Sequence, residues 1–319
     1  MKKHLIAAAV AAAFAVPAMA QVTMSGSITA GIVESGAAGA KAQVTTIGGG
    51  SNAINFSATE DLGGGLRGGF TGQLRFNAAN GDFNSDSGSG AGKNGFHAAN
   101  VFIGGGFGTF RVGKVAEDSN CGFDPWGCLT NAGSLATGTA GILTAASTQG
   151  NSLMYATPRI QGMEFTYQTT LNRVGSERSV LNLNYSAGPI SAQYLVASGS
   201  GAANTGSGFT GGTKADQAAL GLSYNFGVAR VIYSLVRAED AAGARTKDIQ
   251  YVAASIPLGA AAIWAAYSQD DKAAKTADTA WALGVNYALS KRTSIGADIF
   301  DKEVAGGSTG FALRARHTF

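Results

Sequence analysis

Apolar and polar residues alternate along most of this chain with a period of two. In 22–33 the even positions are Val22, Met24, Gly26, Ile28, Ala30 and Ile32, while the odd positions are mostly Thr and Ser. From Leu66 to Asn77, Leu66, Phe70, Leu74 and Phe76 share one parity; Arg67, Thr71, Gln73, Arg75 and Asn77 share the other. Leu220, Leu222, Tyr224 and Phe226 oppose Ala219, Ser223 and Asn225. Trp281, Leu283, Val285, Tyr287 and Leu289 oppose Asp278, Asn286 and small residues. Such alternation marks strands with one apolar and one polar face. About sixteen segments follow this rhythm, most near the 9–11 residues that a tilted membrane strand needs. They are 22–33, 51–60, 65–78, 95–107, 109–115, 151–157, 160–171, 178–187, 189–198, 215–226, 228–238, 246–256, 259–269, 277–288, 292–301 and 308–319.

The connections alternate too. Short ones fall at Asp61 to Gly64, Gly108, Pro158-Arg159, Gly188, Gly227, Pro257-Leu258 and Ser290-Lys291. Long ones, rich in Gly, Ser, Asn and Asp, separate them. Short turns at one end and long loops at the other are the signature of an outer-membrane barrel, and an even strand number brings both termini to one side. A soluble sandwich, β-helix or propeller would also alternate. The leader described below, the absence of a repeat and the alternating turn lengths favour a membrane barrel.

One connection stands apart. The stretch from Val115 to Gly150 breaks the alternation with Glu117, Asp118, Cys121, Asp124, Pro125, Trp126, Cys128 and a run of small residues. A loop this long within a regular pattern is functional or disordered. We read it as folded into the barrel lumen, where it narrows a pore. Its acids either form a charged lip on that pore or are ordinary solvated loop charges. Cys121 and Cys128 either pin the loop tip as a disulfide, which an oxidising compartment permits, or remain free thiols. Two cysteines alone are too few for a zinc site.

The N-terminus supplies the compartment. Lys2 and Lys3 precede an apolar run from Leu5 to Val16, and Ala18-Met19-Ala20 forms a small-x-small cleavage site before Gln21. This pattern predicts a secretory signal peptide over 1–20, leaving 21–319 as a single barrel domain. Loss of Lys2 and Lys3 from 23 basic residues, against 20 acidic ones, leaves a formal charge of +1, which does not suggest nucleic acid. Charged residues make up 13% of the chain and glycines number 47. That charge content is about half the usual globular fraction. After Gln21 no apolar run is long enough for a spanning helix, so a barrel is the remaining way to cross a bilayer.

Several stretches resemble the general diffusion porins of Gram-negative bacteria, especially the β-proteobacterial type. Val22-Thr23-Met24-Ser25-Gly26-Ser27-Ile28 resembles the family's first strand, and Thr59-Glu60-Asp61-Leu62-Gly63-Gly64-Gly65-Leu66 its second-to-third-strand turn. The run from Phe102 to Lys114 resembles the strand pair entering the constricting loop, and Asn151-Ser152-Leu153-Met154-Tyr155 the strand leaving it. Leu289-Ser290-Lys291-Arg292-Thr293 resembles the last periplasmic turn, and Arg316-His317-Thr318-Phe319 the terminal strand. The resemblance implies an all-β, 16-stranded antiparallel transmembrane β-barrel with its third outer loop inside the lumen. It also implies a homotrimer in the bacterial outer membrane, among lipid and lipopolysaccharide. Assembly would use periplasmic chaperones and the barrel-assembly machinery, with Phe319 as the terminal signal. The expected function is passive diffusion of ions and small hydrophilic solutes. A substrate-specific porin and a non-conducting adhesin or scaffold barrel are the alternatives. The family often places Arg on the wall just before Asn55-Phe56 and Phe102-Ile103; the matching positions here read as Ala53 and Ala99.

Enzymatic chemistry, cofactors and metals find no support in these residues. His97 and His317, which remain after Gln21, sit in strand-like segments, with His317 on the outward parity. Glycine clusters such as Gly63 to Gly65 lack the Lys-Ser/Thr and helix of a phosphate loop. Arg67, Arg75 and Arg111 fall on the lumenal parity and Lys114 on the outward one. Arg67 and Arg75 lie roughly 26 Å apart along one strand, too far to share a constriction. Tyr155, Tyr167, Tyr185, Tyr224, Trp281 and Tyr287 fall on the outward parity near strand ends, as an aromatic girdle requires. The loop acids, with Ala53 and Ala99, predict a weak preference for cations.

Overall fold

A bilayer offers no partner to an open strand edge, so every edge must find another strand. The computed structural model describes residues 22–47, 52–83, 96–116, 149–171, 176–201, 215–240, 242–272, 278–302 and 309–319. Its strands begin with β1 (Thr23–Glu34), β2 (Gln43–Thr46), β3 (Ala53–Gly63), β4 (Leu66–Arg75), β5 (Phe96–Gly105) and β6 (Gly108–Val115). They continue with β7 (Gln149–Ala156), β8 (Met163–Thr170), β9 (Ser176–Ala187), β10 (Ile190–Gly201), β11 (Ala215–Asn225) and β12 (Arg230–Glu239). The last are β13 (Arg245–Leu258), β14 (Ala261–Asp270), β15 (Thr279–Ala288), β16 (Thr293–Lys302) and β17 (Gly310–Thr318). From β3 onward each strand pairs antiparallel with the next, and β17 returns to β1 through Ser27↔Thr318 to Glu34↔Phe311.

β2 and β3 occupy one position in the wall. β2 pairs with Ala30 to Val33 of β1, and β3 with Thr23 to Ser27. The wall therefore has sixteen strand positions. The short β2 lies in a stretch that the alternation left as loop, because four residues are too few to show a period. Asn52 bridges the break: its Oδ1 accepts the Thr29 N–H at 2.5 Å, and its Nδ2 donates to Thr46 Oγ1 at 3.2 Å. A side-chain amide thus stands in for a ladder bond inside the wall, where an unmade bond would cost about 1–3 kcal/mol.

Four expected turns shift: the one at Gly108 to 106–107, the one at Pro158-Arg159 to Gln161-Gly162, and two more at glycines. β3 runs through Gly63 across a register shift, and the chain reverses where Gly63, Gly64 and Gly65 all take positive φ. β13 continues through Pro257 and Leu258, and the reversal comes at Gly259 with φ 65°. Proline is tolerated at a strand end because few ladder bonds remain there.

Parity holds around the ring. Ile28, Ile32, Val101, Val112 and Leu313 are exposed on the outer face, while Thr29, Val33, Ile232, Trp264 and Ala312 are buried on the inner one. The six girdle aromatics all lie on the outward parity. Phe110 packs on Tyr155 at 4.6 Å between centroids, and the Tyr155 hydroxyl donates to the Phe107 carbonyl at 2.5 Å. His317 also faces outward and meets Thr293 Oγ1 at 3.0 Å through Nδ1.

The seam closes on a glycine. Gly26 and Phe319 exchange both backbone hydrogen bonds at 3.0 Å. A Cβ at Gly26 would run into the Ala53 carbonyl oxygen and the Phe319 ring. Gly26→Val should therefore block closure and cut the yield of heat-modifiable folded barrel several-fold on a gel. Normal yield would show that the seam tolerates the intrusion.

Candidate pore lining

The lumenal face is not uniform. On β3 to β6 it is polar and partly accessible. Asn55, Gln73 and Arg75 form one tier: Gln73 Nε2 donates to Asn55 Oδ1 at 2.8 Å, and Arg75 Nε donates to Gln73 Oε1 at 2.7 Å. Arg111 forms a second tier. Its Nη1 donates to Thr71 Oγ1 at 3.2 Å and to Asn100 Oδ1 at 3.3 Å, and its guanidinium lies 5.1 Å from the Phe102 ring centroid. Arg67 sits nearer the short-turn end, exposed, with Nε over Gly104. The strand thus separates Arg67 and Arg75 along the axis, while Arg67 and Arg111 are near neighbours across β5.

On β12 to β16 the same face is apolar and buried. Ile232, Ala253, Ala266, Ala282 and Phe300 lie opposite one another in turn across five strands. Trp264, Tyr251, Val33, Ala312 and Ile47 belong to the same cluster. A second row, Leu195, Ala219, Val236 and Ile249, continues it across β10 to β13. Trp264 and Tyr251 are visible in the sequence as large residues on the lumenal parity of their strands. A reading that assigned the whole lumen to polar residues passes over them.

Within this half lies a buried ion pair, Arg314 Nη1 with Asp298 Oδ2, both side chains at most 4% exposed. A Cβ at Gly296 would strike the guanidinium, and one at Gly284 would strike the carboxylate and the Trp264 indole. Arg314 faces inward but is neutralised in the wall. Arg316, two residues on, has no acid at ion-pair distance among the described residues.

One of the two wall positions matched through the family resemblance, Ala99, does not face the lumen. A register shift between Gln73 and Leu74 sets Ala98 opposite Gln73 and Phe96 opposite Leu74, leaving His97 as the extra residue. Beyond this bulge the faces exchange, so Ala99 is exposed outside and Ala98 is buried inside. Ala53 does face the lumen, directly opposite Arg75. Lys114 lies outward opposite Ala99, with Nζ donating to the Phe96 carbonyl at 2.7 Å.

Glu117, Asp118, Cys121, Asp124 and Cys128 lie outside the described residues. The roots of their loop do not. Gly113 pairs with Ser152, then the register shifts so that Val115 meets Gln149. Val115 is buried, and its carbonyl accepts Gln168 Nε2 at 3.2 Å; the same amide reaches Ser152 Oγ at 3.2 Å.

Comparison with known proteins agrees with this architecture. A family model described as Gram-negative porin matches residues 7–304. Outer membrane porin protein 32 of Delftia acidovorans is 29% identical over 92% of this chain and 88% of its own length. An anion-selective porin from Comamonas acidovorans superposes with a TM-score of 0.74 at 22% identity, over 94% of this chain and all of that one. Salmonella typhi OmpF, in complex with daunomycin, superposes at 0.69 and 14% identity over 94% of this chain and 98% of its own.

The buried pair makes a sharp energetic test. Removing one partner strands a charge, at a cost of about 3–5 kcal/mol, whereas replacing both with apolar groups is near neutral. Asp298→Leu should lower the urea midpoint of the folded barrel in detergent, and Asp298→Leu with Arg314→Met should restore most of it. Equal losses in both would remove the pair from the account of stability.

Proposed function

The chain belongs to the Gram-negative porin family and forms an outer-membrane channel for passive diffusion of small solutes; we propose that its wall arginines make that diffusion favour anions. The observation that carries this is the accessible polar stripe on β3 to β6, where Arg67 and Arg111 lie close together and Arg75 lies further along the axis. A few fixed charges at a narrow aqueous passage set ion preference, because low-dielectric walls focus their field.

The sequence expectation of weak cation preference had two supports. One was the missing wall arginines at Ala53 and Ala99. Ala99 faces outward, and Ala53 lies under Arg75. Only the loop acids Glu117, Asp118 and Asp124 remain on the cationic side. The similar Comamonas protein is anion-selective by its name. In this reading the segment between β6 and β7, which holds Glu117, Asp118, Asp124, Cys121 and Cys128, is the one that narrows the pore.

The active unit is a homotrimer of mature chains that begin at Gln21, the first twenty residues having served for export. Phe319, outward-facing at the closing seam, is the residue that the assembly machinery reads. Its deletion should sharply reduce folded trimer in membranes while leaving total protein unchanged. A normal trimer yield would remove that role.

Planar-bilayer recording tests the channel. Conductance should rise in groups of three equal steps, and a KCl gradient should give a zero-current potential favouring chloride. Arg67→Gln with Arg111→Gln should move that potential toward potassium, and Asp118→Asn with Asp124→Asn should move it further toward chloride. A wild-type potential favouring potassium, unmoved by the arginine changes, would give the field to the loop. The preference should fade at high salt, where screening shortens to about 3 Å.

A further inference from the structure

We propose that the periplasmic mouth of the channel is a collecting site for multivalent anions, such as polyphosphates and polycarboxylates, which it takes up more readily from the periplasmic side than from outside. This rests on the diffusion-channel reading above, and adds a direction to it.

Charge is unevenly placed along the barrel axis. Both termini and the short turns lie at one end of the barrel, which is the periplasmic end. Three lumenal arginines stand close to that end. Arg67 is the second residue of β4, Arg230 the first of β12, and Arg316 lies two before the end of β17. Each inward direction follows from its register. Arg67 is opposite Asp61 and Gly104 on the lumenal row; Arg230 shares parity with buried Ile232; Arg316 shares parity with buried Arg314 and stands opposite buried Thr29. Arg111 adds a fourth charge one tier deeper.

The acids at this end do not cancel them. Glu60 lies opposite Gly68 on the outward parity. Asp61, opposite Arg67 on the lumenal row, accepts the Gly63 N–H at 2.8 Å and keeps its charge, so it offsets one of the four lumenal arginines and leaves the others. Glu164 faces Arg159 at 4.0 Å. Among the described residues none forms an ion pair with Arg67, Arg230 or Arg316, whose polar contacts are limited to Arg230 Nε donating to Ser223 Oγ at 2.8 Å. Lys291 and Arg292, in the β15–β16 turn, add the same sign at the same end. At the other end Asp240, Asp270, Asp271 and Asp278 stand among Arg178, Arg237, Arg245, Lys247 and Lys272, so that no like excess of positive charge faces outward.

The arginines are spread around the mouth rather than gathered. Arg230 and Arg316 are five strand positions apart, roughly 24 Å along the wall at about 4.8 Å per strand. No one small anion can touch all three. They act as a field over the mouth, and attraction to a field grows with the charge of the ion. That favours anions of high valence over chloride, and it favours the side on which the arginines lie.

The test uses the whole protein in a planar bilayer, orientation assigned by one-sided labelling, in about 0.1 M KCl, where the Debye length is about 10 Å. Sodium tripolyphosphate is added to one chamber at a time. The KCl conductance before addition reports the channel itself, so loss of the channel reading and loss of this proposal are distinguishable. Expected is a fall in current at several-fold lower tripolyphosphate from the periplasmic chamber than from the outer one. Arg230→Gln, at an exposed site, should reduce that ratio, and Arg230→Gln with Arg316→Gln should bring it close to one. Arg237→Gln, at the outer rim, should leave it unchanged. Equal sensitivity from both chambers, or a ratio that survives the double change, would overturn the proposal.

Discussion

Everything in this barrel depends on the closure of β17 against β1. A backbone N–H or C=O facing hydrocarbon costs several kcal/mol, and a sheet of sixteen positions left open would expose two rows of them. The seam meets that demand with Ser27 to Glu34 against Phe311 to Thr318, and with the reciprocal bonds of Gly26 and Phe319 beyond the last paired residues. The same demand explains Asn52. Where the wall is made of two strand pieces, a side-chain amide completes hydrogen bonding that regular pairing does not supply.

Closure fixes only that one face is outside and one inside. What the inner face does is a separate matter, and here the barrel divides. From β10 round to β1 large apolar residues fill the lumenal rows, and the charge pair of Asp298 with Arg314 there is shielded and internally neutral. From β3 to β6 the lumenal row is built of Asn, Gln, Thr and Arg in hydrogen-bonded tiers. Charges that influence a permeating ion must be both accessible and uncompensated. Arg67 and Arg111 meet that condition, and Arg314 does not, although all three share the lumenal parity.

Strand existence, strand number and facing were legible because period two is a geometric property of the backbone, and a membrane sharpens it by penalising errors on the lipid side. The outward placement of Tyr224, Trp281 and His317 follows from counting alone. Counting fails where the count itself changes. The bulge at His97 keeps Phe96 outward although the even positions from Ala98 to Gly104 face inward, and nothing in the residues 95–100 announces it; Ala99 shares the outward parity of Val101 and Ile103, so the family match and not the count set it on the lumenal wall. β2 was hidden for a different reason: four residues carry no period, and their strand character comes from the edge of β1 waiting to be paired. The Asp298–Arg314 pair was hidden because it joins neighbouring strands at diagonal positions, a relation that only the register reveals.

Charge function was least legible because it depends on height along the axis, which parity does not encode. A formal charge of +1 describes a chain whose lumenal arginines at the short-turn end outnumber the acids there, while at the opposite end Asp240, Asp270, Asp271 and Asp278 stand among Arg178, Arg237, Arg245, Lys247 and Lys272. With screening over about 8 Å at physiological salt, charges at the two ends of a barrel hardly feel each other. Each end therefore presents its own field, and a passing ion meets them in series. A near-neutral total can thus hide an uneven axis, and the ease of entry becomes a property of each mouth: capture of an ion differs between the two sides, while the gradient alone sets the direction of net flow.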